Sequence, residues 1–354
     1  MMPRRIVTRE IATRWITTHQ IAMMLVFSLL VLASCQFGGK SGGIKQVPIH
    51  VGQEGLVLHF LPNLPPSRFY APEEGEDIQF EVGVDLENKG AYDIVGGYLA
   101  LGLEREYLQF SRWNLEGKPQ FSQIDVAGQR VLFNLLGKSQ LDPLGERAVA
   151  TAAVTPLPID RLTEQHTTTV MMTACYPYST EASAQVCIDT DVYGMKATEK
   201  VCKADTVSLS GGQGAPVAVT KVEERILSSG GEYVRPQFVI YVRNLGSGTT
   251  VRTDKVETAC SSEHLSDEDR AKFFNSISLE ELRFSEFSLT GGHFDCVPAE
   301  IKLKDGEGFA KCTLKPELLS ASRDTYATPL FVRLRYGYFQ TITKEILLER
   351  LLPY

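Results

Sequence analysis

The amino-acid sequence predicts an all-β protein, two tandem β-sandwich domains with small helical insertions, following an N-terminal export signal. Three observations carry this reading. Apolar residues alternate with polar ones at a period of two, Gly and Pro cut the chain into short runs, and one strand-and-turn phrase occurs twice, about 150 residues apart.

The clearest run is Ile78 to Glu87. Ile78, Phe80, Val82, Val84 and Leu86 point one way, Gln79, Glu81, Asp85 and Glu87 the other, and Asn88-Lys89-Gly90 follows as a turn. Such alternation describes a strand with one face in a core and one in water. Similar runs are expected at Leu56–Leu61, Ile94–Leu101, Gln129–Leu136, Ala148–Val154 and Thr167–Cys175. Pro65, Pro66 and Pro72 restrict the stretch Pro62–Gly75 to a loop or an edge excursion, because proline has no N–H to give to a ladder. The phrase returns where Phe238, Ile240 and Val242 alternate with Val239, Tyr241 and Arg243 before Asn244-Leu245-Gly246. Between the copies, Ser208–Pro216 holds three glycines and a proline, and a new strand is expected at Val217–Val222. The domain plan is therefore a first sandwich at 46–207, a linker at 208–216 and a second sandwich at 217–354. One helical insertion is expected after Ser266, a capping residue followed by Asp267, Glu268 and Asp269 and then by Ala271, Phe273 and Phe274.

Ahead of the sandwiches, Arg4, Arg5, Arg9 and Arg14 precede an uncharged stretch from Ile21 to Ser34. A basic segment followed by an apolar one of this length reads as an export signal, since a bilayer span needs about twenty apolar residues. Leu32-Ala33-Ser34-Cys35 looks like a lipoprotein box, so residues 1–34 are read as a signal peptide and Cys35 as the lipid attachment site. An uncleaved signal anchor is the alternative. Residues 35–45 are rich in Gly and suit a flexible tether. Gly39-Lys40-Ser41 and Gly137-Lys138-Ser139 are not phosphate loops, because Ser34 and Leu132 stand where the first glycine is required.

With Cys35 set aside, six cysteines remain: Cys175, Cys187, Cys202, Cys260, Cys296 and Cys312. An even number in an exported chain suggests disulfides. Loop lengths favour Cys187 with Cys202 and Cys296 with Cys312, leaving Cys175 with Cys260 to staple the two halves. Free buried thiols are the alternative; no Cys-x-x-Cys pair points to zinc.

The formal charge of −7 becomes −10 once the signal's four arginines and Glu10 are removed, which argues against nucleic acid as a partner. The strands FEVGVDLENKGAYDI and FVIYVRNLGSGTTV, with GLVLHFLPNLPPSRFY, TACYPYSTEASAQVCID and SGGQGAPVAVTKVE, resemble CARDB-type immunoglobulin-like modules of predicted archaeal surface lipoproteins. The resemblance implies immunoglobulin-like sandwiches, an extracellular location and an adhesive or scaffolding role, and it brings no catalytic residue and no cofactor.

Little else suggests chemistry. His19, His50, His59, His166, His264 and His293 are scattered, without metal-ligand or nucleophile-elbow spacing. Asp189 and Asp191 open like a calcium loop, but Tyr193 takes a ligand position and Lys200 stands where the bidentate glutamate belongs, leaving at most a weak cation site. Glu73, Glu74, Glu76 and Asp77 form an acidic loop. Tyr176, Tyr178, Tyr336, Tyr338 and Phe339 are candidates for a recognition surface, since aromatics anchor interfaces. Ile346-Leu347-Leu348 and Leu351-Leu352 read as a final core strand or as an edge for strand addition. The expected function is a membrane-anchored extracellular binding or scaffolding lipoprotein, held to the membrane through Cys35 and facing a protein or polysaccharide partner. A structural subunit of a cell-envelope assembly is the alternative, and an unrecognised hydrolase ranks below both.

Overall fold

The computed structural model describes residues 48–350 apart from 74–77, 116, 124–128, 161, 198 and 262–264. The expected signal peptide, Cys35 and the tether lie outside the described residues, as do most of the acidic loop, His19, His264, Leu351 and Leu352.

In chain order the strands of the first half are β1 (Leu56–Phe60), β2 (Arg68–Ala71), β3 (Phe80–Asn88), β4 (Ile94–Leu103), β5 (Leu108–Asn114), β6 (Phe121–Gln123), β7 (Arg130–Leu135), β8 (Arg147–Pro156) and β9 (Gln165–Ile188). A short β10 (Val207–Ser208) precedes β11 (Val217–Ser229), β12 (Tyr233–Asn244) and β13 (Thr249–Val251). Two helices, α1 (Val256–Ala259) and α2 (Asp267–Phe273), come next. The chain then runs through β14 (Ser276–Phe284), β15 (Phe287–Ser288), β16 (Phe294–Val297), β17 (Glu300–Lys302), β18 (Glu307–Leu314), β19 (Leu319–Ser320) and β20 (Tyr326–Arg350). The protein is all-β, and the period-two reading holds. In β3, Phe80, Val82, Val84 and Leu86 are all buried, and Asn88 at its end is fully buried as well. Ser266 caps α2 as expected, its side chain accepting the Asp269 N–H at 3.1 Å. Among the described residues no helix is long and apolar enough to cross a membrane.

Three sheets hold these strands. One has the order β1-β3-β8-β5, and a second the order β10-β11-β12-β18-β16 with β19 beside β12. The third runs β15-β14-β20-β9-β4-β7-β6, with β13 and β2 also on β20 and β17 on β14. The first sheet comes wholly from the first half, and the second from β10 onward. The third is common to both, because β9 and β20 pair without a register break from Gln165↔Glu349 to Ile188↔Tyr326. In place of the separate domains expected at 46–207 and 217–354, the two outer sheets pack on the same face of one continuous sheet. Pro48–Tyr354 accordingly forms a single unit.

β9 is far longer than the expected Thr167–Cys175, because Pro177 does not end it. In the antiparallel register Pro177 faces Gly337 at a position where neither residue bonds across the pair, and the proline nitrogen points past the last β4 pairing at Cys175↔Tyr98. The apolar C-terminal residues Ile346 and Leu348 are buried in β20, and β2 runs parallel beside Leu347 to Arg350.

Candidate functional site

The repeated phrase proves to be one half of a duplicated motif. Asn88 accepts the Gly90 N–H at 3.2 Å and the Tyr178 hydroxyl at 3.2 Å, and donates to the Tyr92 carbonyl at 2.8 Å. Asn244 accepts the Gly246 N–H at 3.2 Å and the Tyr338 hydroxyl at 3.1 Å, and donates to the Gly248 carbonyl at 2.7 Å. In each copy the asparagine amide ties a turn to a tyrosine on the other sheet. The tyrosines come from Tyr176-Pro177-Tyr178 on β9 and Tyr336-Gly337-Tyr338 on β20, which face each other across the ladder. Tyr176, Tyr178, Tyr336 and Tyr338 are all buried, so the expected recognition surface is instead the centre of the core. Alternation places residues i and i+2 on one face, and here that face is the inner one. Burial raises the phenol pKa values, that of Tyr338 to about 12 and those of Tyr176 and Tyr336 well above the usual range. Phe339 lies on the opposite face, against Cys175 and Cys260.

The six described cysteines form three disulfides, Cys175–Cys260, Cys187–Cys202 and Cys296–Cys312. The first links β9 to the end of α1 and so joins the halves. The third lies between directly opposed residues of β16 and β18. The second closes the loop after β9, whose base is densely bonded. Asp189 accepts from the Asp191 N–H and from Lys200 Nζ at 2.7 Å, and Asp191 accepts the Met195 and Lys196 N–H groups. Burial opposes ionisation of Asp191, but those two N–H groups and the nearby ammonium groups outweigh it and hold its pKa below the usual range. The Lys200 ammonium thus stands where the sequence left at most a weak cation site, 2.7 Å from Asp189 and 3.9 Å from Asp191. The loop nevertheless presents apolar side chains to solvent: Tyr193, Met195 and Val201 are 68%, 82% and 76% exposed. Beneath it, the buried Glu224 accepts the Cys187 N–H at 2.9 Å through one oxygen, while the other has no partner among the described residues. Burial, aided by Asp189, raises its pKa to about 7 against the pull of that hydrogen bond.

A second open feature lies beside β1, which ends its sheet. Lys89 donates to the Gly55 carbonyl and Leu61 to that of Gly83, which fixes the phase of the β1–β3 ladder. Val57 and His59 therefore bond to β3, while Leu58 and Phe60 turn their N–H and C=O groups outward. Leu56 also faces outward, but its N–H bonds Tyr176 Oη at 3.2 Å and its carbonyl accepts from Gln340 Nε2 at 3.1 Å. Opposite β1, no described strand pairs with β20 over 340–346 on the side away from β9, since β13 stops at Phe339 and β2 starts at Leu347. A groove of about 360 Å³ opens here, with Leu58, Pro216, Tyr338 and Ile342 among its lining residues.

The histidines are not brought together. His50 meets the Tyr92 hydroxyl, His166 stacks on Tyr107, and His293 accepts the Ser288 N–H. Among the described residues no three His, Cys, Asp or Glu side chains are placed to share a metal ion. The sequence reading missed the tyrosine half of the duplicated motif and the place of β1 at the end of its sheet among the described residues. The first was signalled by Tyr-Pro-Tyr and Tyr-Gly-Tyr at nearly the same offset as the asparagines. The second had no local signal.

No family model matches the chain, and no curated protein matches it. Among solved structures, it is similar to one designated BspA_C_WT, at 5% identity and a TM-score of 0.18 over 82% of this chain and 99% of the other. It is also similar to the C-terminal domain of the Streptococcus pyogenes antigen I/II-family protein AspA, at 7% identity and a TM-score of 0.15 over 84% of this chain and 100% of the other. Superpositions this loose bear on neither fold detail nor function.

Proposed function

We propose that this chain is an exported, lipid-anchored binding or scaffolding protein, built of CARDB-type modules, that holds its sandwiches outside the membrane for a protein or polysaccharide partner. The observation that carries the reading is the set of three disulfides, which persist in oxidising compartments and are rare where thiols are kept reduced. The basic and apolar segments ending at Cys35 supply a route out and an anchor. The braced loop carrying Tyr193 and Met195 supports a binding role, because a stiff loop with exposed aromatic and thioether side chains loses little entropy on docking.

The intact mass of the protein extracted from its host's membranes, taken before and after reduction, tests this. A chain beginning at Cys35 with added lipid mass, gaining about six daltons on reduction, is expected. Cys35→Ser should then leave the protein unprocessed or soluble. A full-length chain without lipid, or a Cys35→Ser variant still processed and membrane-bound, overturns the anchor; no mass gain on reduction overturns the oxidising location.

A further inference from the structure

Three leucines stand out of the loop between β7 and β8: Leu136, Leu141 and Leu144 are 62%, 98% and 73% exposed. The loop that carries them is not slack. At its base the Leu136 N–H donates to Glu146 Oε2 at 2.8 Å, and the Glu146 N–H to the Leu136 carbonyl at 3.0 Å. Across its tip the Ser139 N–H donates to the Asp142 carbonyl, the Asp142 N–H to Ser139 Oγ, and the Leu144 N–H to Asp142 Oδ1. These bonds turn polar groups back into the loop and leave Leu141 and Leu144 outside it. A single exposed leucine needs no explanation, but three within nine positions on a braced loop form an apolar tip.

The tip lies at the end of the molecule where the described chain begins. The Lys138 N–H donates to the Gly90 carbonyl at 2.8 Å and the Gly137 N–H to Asp93 Oδ1 at 2.8 Å, which sets the start of the loop beside the turn after β3. His50 reaches the same turn, its Nδ1 3.2 Å from the Tyr92 hydroxyl, two residues after Pro48. Pro48 in turn comes thirteen positions after Cys35. A coil of that length spans about 20 Å on average and about 45 Å at full stretch, while the four residues from Gly137 to Leu141 span about 14 Å at most. The tip is therefore within the tether's reach of whatever holds Cys35. We infer that the β7–β8 loop is a membrane-contacting element, whose Leu141 and Leu144 insert among the acyl chains of the bilayer to which the N-terminal segment fastens the protein. Tethering makes the contact intramolecular, so a small apolar tip suffices. Residues 137–145 carry one basic and one acidic side chain, Lys138 and Asp142, so an anionic lipid surface does not repel them.

This rests on the reading of the chain as membrane-anchored, and it holds whether the anchor is a lipid on Cys35 or the uncleaved apolar segment, since both place the tether at the bilayer. The test uses the full chain reconstituted in phosphatidylcholine vesicles that contain a phospholipid with a photoactivatable diazirine on its acyl chain. After illumination, protein that floats with the vesicles is reduced and digested with trypsin, and lipid adducts are located by mass. Cleavage after Lys138 and Arg147 releases the tip as peptide 139–147; cleavage after Lys304 and Lys311 releases 305–311, which carries the exposed Phe309 of β18 and reports chance contact. Adducts on 139–147 should exceed those on 305–311. Replacing both leucines, Leu141→Ser with Leu144→Ser, should lower the yield on the tip about tenfold. The thermal midpoint should not move, because both side chains are exposed. Equal yields on the two peptides, or a yield that survives the double substitution, overturn the proposal. Protein that floats but carries no adduct on 139–147 does the same while leaving the anchor intact, and assigns the leucines to a protein partner. Protein that does not float overturns anchor and loop together.

Discussion

Glu224 is the residue whose ionisation most directly opposes folding. Its pKa is about 7 in the folded chain against an ordinary 4.5, so between these values the folded state holds a proton that the unfolded state has released. The stabilising contribution of the protonated form is complete below the ordinary value and is lost as the pH rises through about 7. Thermal unfolding should therefore show a more stable protein near pH 5 than near pH 8. Glu224→Gln, which keeps an acceptor for the Cys187 N–H, should remove on the order of 2 kcal/mol of that difference. An unchanged pH profile in the variant would show that Glu224 is solvated. The two asparagines allow a second comparison at this scale. Asn88 is fully buried and also donates to the Leu135 carbonyl, whereas Asn244 is half-buried. Asn88→Ala strands a buried hydroxyl and a buried glycine N–H, and should cost about 2–4 kcal/mol in denaturant unfolding. Asn244→Ala should cost less. Both asparagines were legible in the sequence as turn residues; their tyrosine partners were not, because a strand sequence shows which residues share a face but not which face is covered.

At the scale of elements, the disulfides differ in the length of chain they close, 85 residues for Cys175–Cys260 and 15 for Cys187–Cys202. Loop-closure entropy predicts stabilisations of about 4.5 and about 3 kcal/mol respectively. Paired serine replacements measured in denaturant should preserve that order, and the reverse order would mean that the short loop's hydrogen bonds depend on its disulfide. Strand positions were largely legible here, since β1, β3, β4, β7, β8, β11 and β12 all fall on expected runs, and α2 begins at its expected cap. Lengths were less so. Pro177 looks like a terminator, and only the place where β4 stops explains why the strand passes through it. The sequence likewise could not show that β10 pairs with the edge of β11, because pairing across a sheet is not written in the pattern of either strand.

For the whole molecule, the sequence was read as two separate sandwiches, whereas β9 and β20 run in one sheet common to both halves. The reason is physical: β9 and β20 are each apolar on one face, and nothing local distinguishes a strand that closes its own sandwich from one that completes its neighbour's. Because the ladder from Gln165 to Ile188 is common to both cores, neither half can melt without exposing the other. Calorimetry of the disulfide-intact protein should give one transition with equal calorimetric and van't Hoff enthalpies. Two resolved transitions would mean that the ladder parts before the sandwiches do.

The same ladder governs the order of events when the chain is made. Tyr178 meets Tyr336 at a separation of 158 residues, and β20 is the last strand described. As the chain emerges, the β9 edge that pairs with β20 stays uncovered until almost everything described after it has appeared. Contacts this remote in sequence close slowly, and an uncovered edge invites pairing with other chains in the interval. That interval closes only when β20 pairs with β9.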